Sequence, residues 1–103
     1  MLKTRARALN QIGKLYDHTG DYETALPYLE QSLAVYQKIG DKAGASGALN
    51  NISAIHHTRG IYDQALAYLE QELVISREIG DRSGMCATLF NMGHLSLQKE
   101  NQP

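Results

Sequence analysis

Four histidines, one cysteine and a recurring set of side-chain amides are the residues of this chain with chemistry to offer. His56 and His57 are neighbours, so on a helix their rings diverge by about 100° and cannot share a metal ion. His57 and His94 can face one groove from adjacent helices, with Asp17 across it. Two imidazoles without a further close, fixed ligand are better suited to hydrogen bonding than to zinc, so no metal and no cofactor are expected. Cys86, flanked by Met85, Ala87 and nearby Leu89, has no supporting base in sequence and is read as a small packing residue. As the only cysteine it can form no intramolecular disulfide, which fits a reducing compartment. No nucleophile and base stand at an interpretable spacing, and no glycine-rich loop follows a strand. No catalytic residue is therefore assigned, and an enzyme is not expected.

The amides differ from the histidines because they repeat. Gln11, Asn51 and Asn91 stand at one position of a period of roughly 40 residues. Gly20, Tyr22, Ala25, Leu26, Tyr28, Leu29, Glu30 and Gln31 return as Gly60, Tyr62, Ala65, Leu66, Tyr68, Leu69, Glu70 and Gln71 at the same offset. Leu9, Ile12 and Gly13 return as Leu49, Ile52 and Ser53, and again as Leu89, Met92 and Gly93. One supersecondary unit stacked on copies of itself is the architecture such self-similarity demands. Apolar residues three and four apart, as in Ala6, Leu9, Ile12, Gly13 and Tyr16, make the elements helical, and nothing alternates with a period of two. Glycine stops followed by aspartate starts at Gly20-Asp21, Gly40-Asp41 and Gly80-Asp81 divide the helices. The spacing predicts helices over about 3–18, 22–38, 42–59, 62–78 and 82–99. Pro27, inside the second, predicts a mild bend rather than a break. Connections this short force neighbouring helices to be antiparallel.

The expectation is a single all-α domain over 1–103: repeat one 3–40, repeat two 41–80, a half repeat 81–99 and a tail 100–103. Leu29 and Leu69 are expected to be buried between successive repeats. Ten basic and eleven acidic side chains nearly cancel, so nothing recruits nucleic acid or an anionic membrane globally. Lys3, Arg5 and Arg7 cluster on the first helix and are read as a solvated face. No stretch reaches the length of a membrane span, and Met1 to Gly13 lacks the apolar run of a signal peptide. A cytoplasmic location is expected.

These helix pairs resemble the tetratricopeptide repeat. Leu9, Ile12, Gly13 and Tyr16 match the large, leucine, small, tyrosine series of its helix A, and Tyr22, Ala25, Leu29 and Ser32 match helix B. Repeat two matches at Leu49, Ile52, Ser53, Tyr62, Ala65 and Leu69, and departs at His56 and Glu72. Gln37 and Arg77 hold the place of the usual helix-ending proline. The longer unit, with Gly-Asp-Lys-Ala-Gly and Gly-Asp-Arg-Ser-Gly linkers, is similar to the subgroup in Pins-type polarity scaffolds and many bacterial regulators. The resemblance implies a right-handed α-solenoid of about two and a half repeats, acting as a protein–protein interaction module.

By the same resemblance, the A helices would line a concave groove for a peptide segment of a partner. Its residues would be Arg7, Asn10, Gln11, Lys14, Asp17 and His18, then Asn50, Asn51, Ala54, His57 and Thr58, then Phe90, Asn91, His94, Leu97 and Gln98. Gln11, Asn51 and Asn91 would stack as a ladder able to donate to and accept from an extended backbone. Ala87 and Asn91 stand where the carboxylate clamp of chaperone-binding relatives needs basic residues, so a C-terminal Glu-Glu-Val-Asp tail is not the expected ligand. Phe90, His94 and Leu97 form a separate stripe on the last helix. Further repeats, a second copy in a homodimer through Phe90 and Leu97, or a bound peptide could each cover it. The alternative to a peptide-binding module is a structural or self-association segment of a longer scaffold or regulator.

Overall fold

In the computed structural model, which describes residues 1–101, five helices follow one another: α1 (Leu2–His18), α2 (Tyr22–Ile39), α3 (Lys42–Thr58), α4 (Tyr62–Glu78) and α5 (Arg82–Glu100). Each bound lies within one residue of the spacing-based expectation, except that α5 runs one residue into the expected tail. Gln102 and Pro103 of that tail lie outside the described residues. Gly20, Gly40, Gly60 and Gly80 take φ between 70° and 81°, a conformation that side-chain-bearing residues avoid, and so end the first four helices. Asp21, Asp41 and Asp81 then accept from the backbone N–H three residues on, at 3.2, 3.0 and 2.9 Å, capping α2, α3 and α5. Ile61 holds that place before α4 and makes no side-chain cap. Pro27 sits in the exposed part of α2, and the helix continues through it.

Each helix packs on the next, α1 also touches α3, and no strand occurs among the described residues. The result is an α-solenoid of stacked helix pairs, measuring 46 × 34 × 17 Å. Within a pair, helix B seats a leucine on a small residue of helix A. A methyl placed on Gly13 would lie 2.6 Å from Leu29 Cγ and 3.3 Å from the Ala25 carbonyl oxygen. Leu29 is therefore buried inside its own pair, against Gly13, and not simply between successive repeats. Repeat two uses Ser53, whose hydroxyl donates to the Ala65 carbonyl at 3.1 Å, with Leu69 buried beside it. Ser32 makes the reciprocal bond, donating to the Ala6 carbonyl at 2.7 Å. Tyr16 stacks on Tyr28 with ring centres 5.8 Å apart, and His56 stacks on Tyr68 at 5.5 Å. The histidine that departs from the repeat pattern thus does the packing of a tyrosine.

Each A helix has two apolar faces, one for the helix B of its own pair and one for the preceding helix B. On α3 both are covered. Ala48, Ile52 and Ile55 are fully buried in a cluster with Leu33 and Tyr36 of α2, and Leu49 and Ser53 are buried as well. On α1 the equivalent Ile12 and Leu15 are exposed, which corrects the expectation that Ile12 packs with Ala6 and Gly13. On α5, Leu95 and the partly buried Met92 join a smaller cluster with Ala65 and Leu69 of α4, and Thr88 is buried as well. Cys86 was expected to pack and is exposed instead, with Leu89 exposed beside it, because none of the described helices covers that side of α5.

Candidate partner-binding face

The A helices bring several of the expected groove residues into contact, in a register the 40-residue period does not show. Asn51 Nδ2 donates to Asn10 Oδ1 at 3.0 Å, and His57 Nε2–H donates to Gln98 Oε1 at 2.6 Å. Both pairs are separated by 41 residues. Equivalent residues of a solenoid point the same way along the stack, so they cannot face each other. A step of one residue turns the side chain about 100° and brings it onto the neighbouring helix. The expected ladder of Gln11, Asn51 and Asn91 is thereby corrected: Asn51 bonds Asn10, and Gln11 is exposed.

By the same step Asn50 belongs with Asn91, and the two line a cleft of about 110 Å³ with Ser53, Ala54 and His57. Its floor is Leu69 and Leu95, an apolar base beneath a polar rim. His57 is held on three sides. Beyond its bond to Gln98, its ring meets Tyr62 edge-on at 5.9 Å and His94 edge-on at 6.0 Å. Leu69, Leu95 and Tyr62 were not anticipated as parts of this face, since in sequence they carry only the signature of core. Arg7, Lys14 and His18 of α1 are exposed, as is Thr58 of α3. Phe90 and Leu97 stand apart from the cleft. They border a second depression of about 310 Å³ with Leu89, Gly93 and His94, and the Phe90 ring stacks on His94 at 6.5 Å.

Three ion pairs lie between helices or at their ends. Lys3 pairs with Asp41 at 3.5 Å, Lys42 pairs with Glu78, and Lys99 pairs with Asp63. The Gly44 N–H, helped by Lys3 and Arg7, holds the Asp41 carboxyl below its usual range. Buried His56 and half-buried Glu72 are both shifted toward their neutral forms. Burial, reinforced by Arg59, lowers His56, whose Nδ1 has no partner. Burial raises Glu72, although the Ser46 side chain opposes the shift. Among the described residues no cluster of three or more His, Cys, Asp or Glu could hold a metal ion, and no helix is long and apolar enough to cross a membrane.

Residues 5–39 match the family described as Tetratricopeptide repeat, and residues 48–83 match it again. The chain belongs to the tetratricopeptide repeat family. Tetratricopeptide repeats generally mediate protein–protein interaction, and the family is a non-catalytic repeat scaffold. None of the curated proteins matches the chain. The two matched segments take in α2 whole, most of α1 and α3, and α4 whole, so both helix pairs carry the tetratricopeptide signature.

Proposed function

We propose that the face formed by α1, α3 and α5 binds an extended segment of a partner protein, with side-chain amides satisfying its backbone. The observation that supports this reading is the cleft in which Asn50, Asn91 and His57 rim the apolar floor of Leu69 and Leu95. An amide both donates and accepts, so it can pair with a peptide backbone of any sequence. The floor then selects for an apolar side chain between the bonded backbone groups, and excludes water from them. Asn51 has a positioning role: its bond to Asn10 ties α3 to α1 and fixes the edge of the face. Arg7, Gln11 and Lys14, exposed on α1, extend the surface toward the N-terminal end and suit an acidic flank of the ligand.

A phage-displayed peptide library selected on the immobilised chain supplies the ligand for the test. The combined Asn50→Ala and Asn91→Ala variant should bind the selected peptide more weakly by roughly 1–3 kcal/mol, with helical content unchanged. Asn51→Ala should lower affinity as well, with an accompanying loss of the α1–α3 coupling seen in thermal unfolding. Equal affinity of the double variant and the wild type would remove the amides from the binding mechanism.

A further inference from the structure

Glu72 is a carboxyl without a partner, one helical turn from the cleft that Asn50 and Asn91 rim. Repeat one shows what its place otherwise holds: Ser32, buried and donating to the Ala6 carbonyl of α1. Forty residues further on, the same two places hold Glu72 and Ser46. Glu72 Oε2 is buried and has no hydrogen-bond partner among the described residues. Asp41, Asp63 and Glu78 each pair with a lysine, and among the described residues Glu72 pairs with none. Lys42, one turn before Ser46 on α3, is engaged by Glu78. Residues 83–98 of α5, the next helix, carry no Asp, Glu, Lys or Arg. Burial holds the carboxyl above its ordinary range, and no charged neighbour among the described residues contributes to that shift. A carboxyl buried without a counter-charge is unfavourable, and such groups collect at functional sites.

Helix geometry ties this carboxyl to the cleft. On α4, Glu72 follows the floor residue Leu69 by three residues; on α3, Ser46 precedes the rim residue Asn50 by four. Residues three and four apart share one side of a helix. The wall that α3 and α4 give the cleft therefore continues for one turn, to Ser46 and Glu72. Because α3 and α5 are parallel, the trough between them follows the helices, and a segment lying in it passes Leu69 and then Glu72. The rise from Leu69 to Glu72 is about 4.5 Å. An extended segment returns to the same side every second residue, about 6.8 Å along, and a long basic side chain spans the difference. We infer that Glu72 determines specificity in this cleft, selecting a lysine or arginine two positions from the apolar side chain seated on Leu69 and Leu95. Glu72 as a whole is half-buried, so rotation about its terminal bonds turns Oε2 toward that cation. The inference rests on the reading of the cleft as the seat of an extended segment.

Peptides selected from the phage-displayed library on the wild-type protein should carry Lys or Arg two positions from an apolar residue. Selection on Glu72→Gln should lose the basic residue and keep the apolar one. A synthetic peptide of the selected sequence is then compared, by isothermal titration, with one in which methionine replaces the basic residue. The methionine peptide should bind the wild type at least about tenfold more weakly, and the two should bind Glu72→Gln alike. The ratio of wild-type to Glu72→Gln affinity for the basic peptide should rise severalfold from about pH 5 to about pH 8, as the carboxyl ionises. His57 and His94 are common to both proteins and cancel in that ratio. A purely structural Glu72 would move neither the choice of peptide nor the ratio. Equal affinity of the basic and methionine peptides for the wild type, with the Asn50→Ala and Asn91→Ala variant still weakening both, overturns the role of Glu72 alone. A library that yields no binder, or binders indifferent to the amide substitutions, overturns the reading of the cleft and this inference with it.

Discussion

Gly13 and Gly93 occupy the same place in their repeats, and the same substitution should change stability in opposite directions at the two. Glycine inside a helix is less favourable than alanine by roughly 0.5–1 kcal/mol, because its backbone loses more freedom on folding. At Gly93 a methyl enters open space, so Gly93→Ala should stabilise by about that amount. At Gly13 the methyl would lie 2.6 Å from Leu29 Cγ, where carbons normally rest at about 3.5–4.0 Å. Leu29 has no exposed surface into which it could swing, and the Ala25 carbonyl oxygen, part of the α2 backbone, would lie 3.3 Å from the same methyl, so moving the leucine side chain alone does not clear the site. Overpacking of this kind costs about 1–3 kcal/mol. The helix term is common to both variants, so the difference between them is the packing term itself. For a domain of this size that difference is a gap of at least about 4 °C in Tm. Thermal unfolding followed by circular dichroism measures both variants. Adding Leu29→Ala to Gly13→Ala should recover part of the clash, giving a coupling between the two sites where distant sites would be additive. Shifts of the same sign and size at Gly13 and Gly93 would refute the reasoning.

Leu29→Ala and Leu69→Ala should each cost on the order of 2–5 kcal/mol by urea denaturation; a loss below about 1 kcal/mol at both would contradict the packing described. Glu72 has a folded pKa above its ordinary 4.5, so the folded state holds its proton more tightly than the unfolded state. Its contribution is stabilising at and below pH 4.5 and is lost as pH rises through the raised value, so Glu72→Gln should raise Tm at pH 7 and flatten its gain on acidification. His56 is shifted below 6.5 and has the opposite sign: stability is intact above 6.5 and falls as pH drops toward the lowered value. His56→Tyr, which installs the residue found at Tyr16, should remove that acid-side loss in the same Tm series.

The helices, their ends and their order were legible from local residue patterns alone. Glycine with positive φ followed by a capping aspartate is a local rule, satisfied by backbone atoms within four residues, so 20-21, 40-41 and 80-81 could be read directly. The repeat period determined the family in the same way, since equivalent residues in equivalent surroundings leave the same pattern. What the period could not carry is any contact between non-equivalent residues. Asn51 meets Asn10, and not Gln11, because neighbouring parallel helices touch through opposite sides, and that offset exists only once the helices are stacked. For the same reason Ile12 is exposed while Ile52 is buried, although the two occupy the same place in the repeat. Cys86 and Leu89 read as core in sequence and lie on the surface, because burial depends on a second helix arriving and not on the hydrophobicity of the first. Composition and spacing made the unit, and the stacking of the units decided which faces were closed and which stayed open.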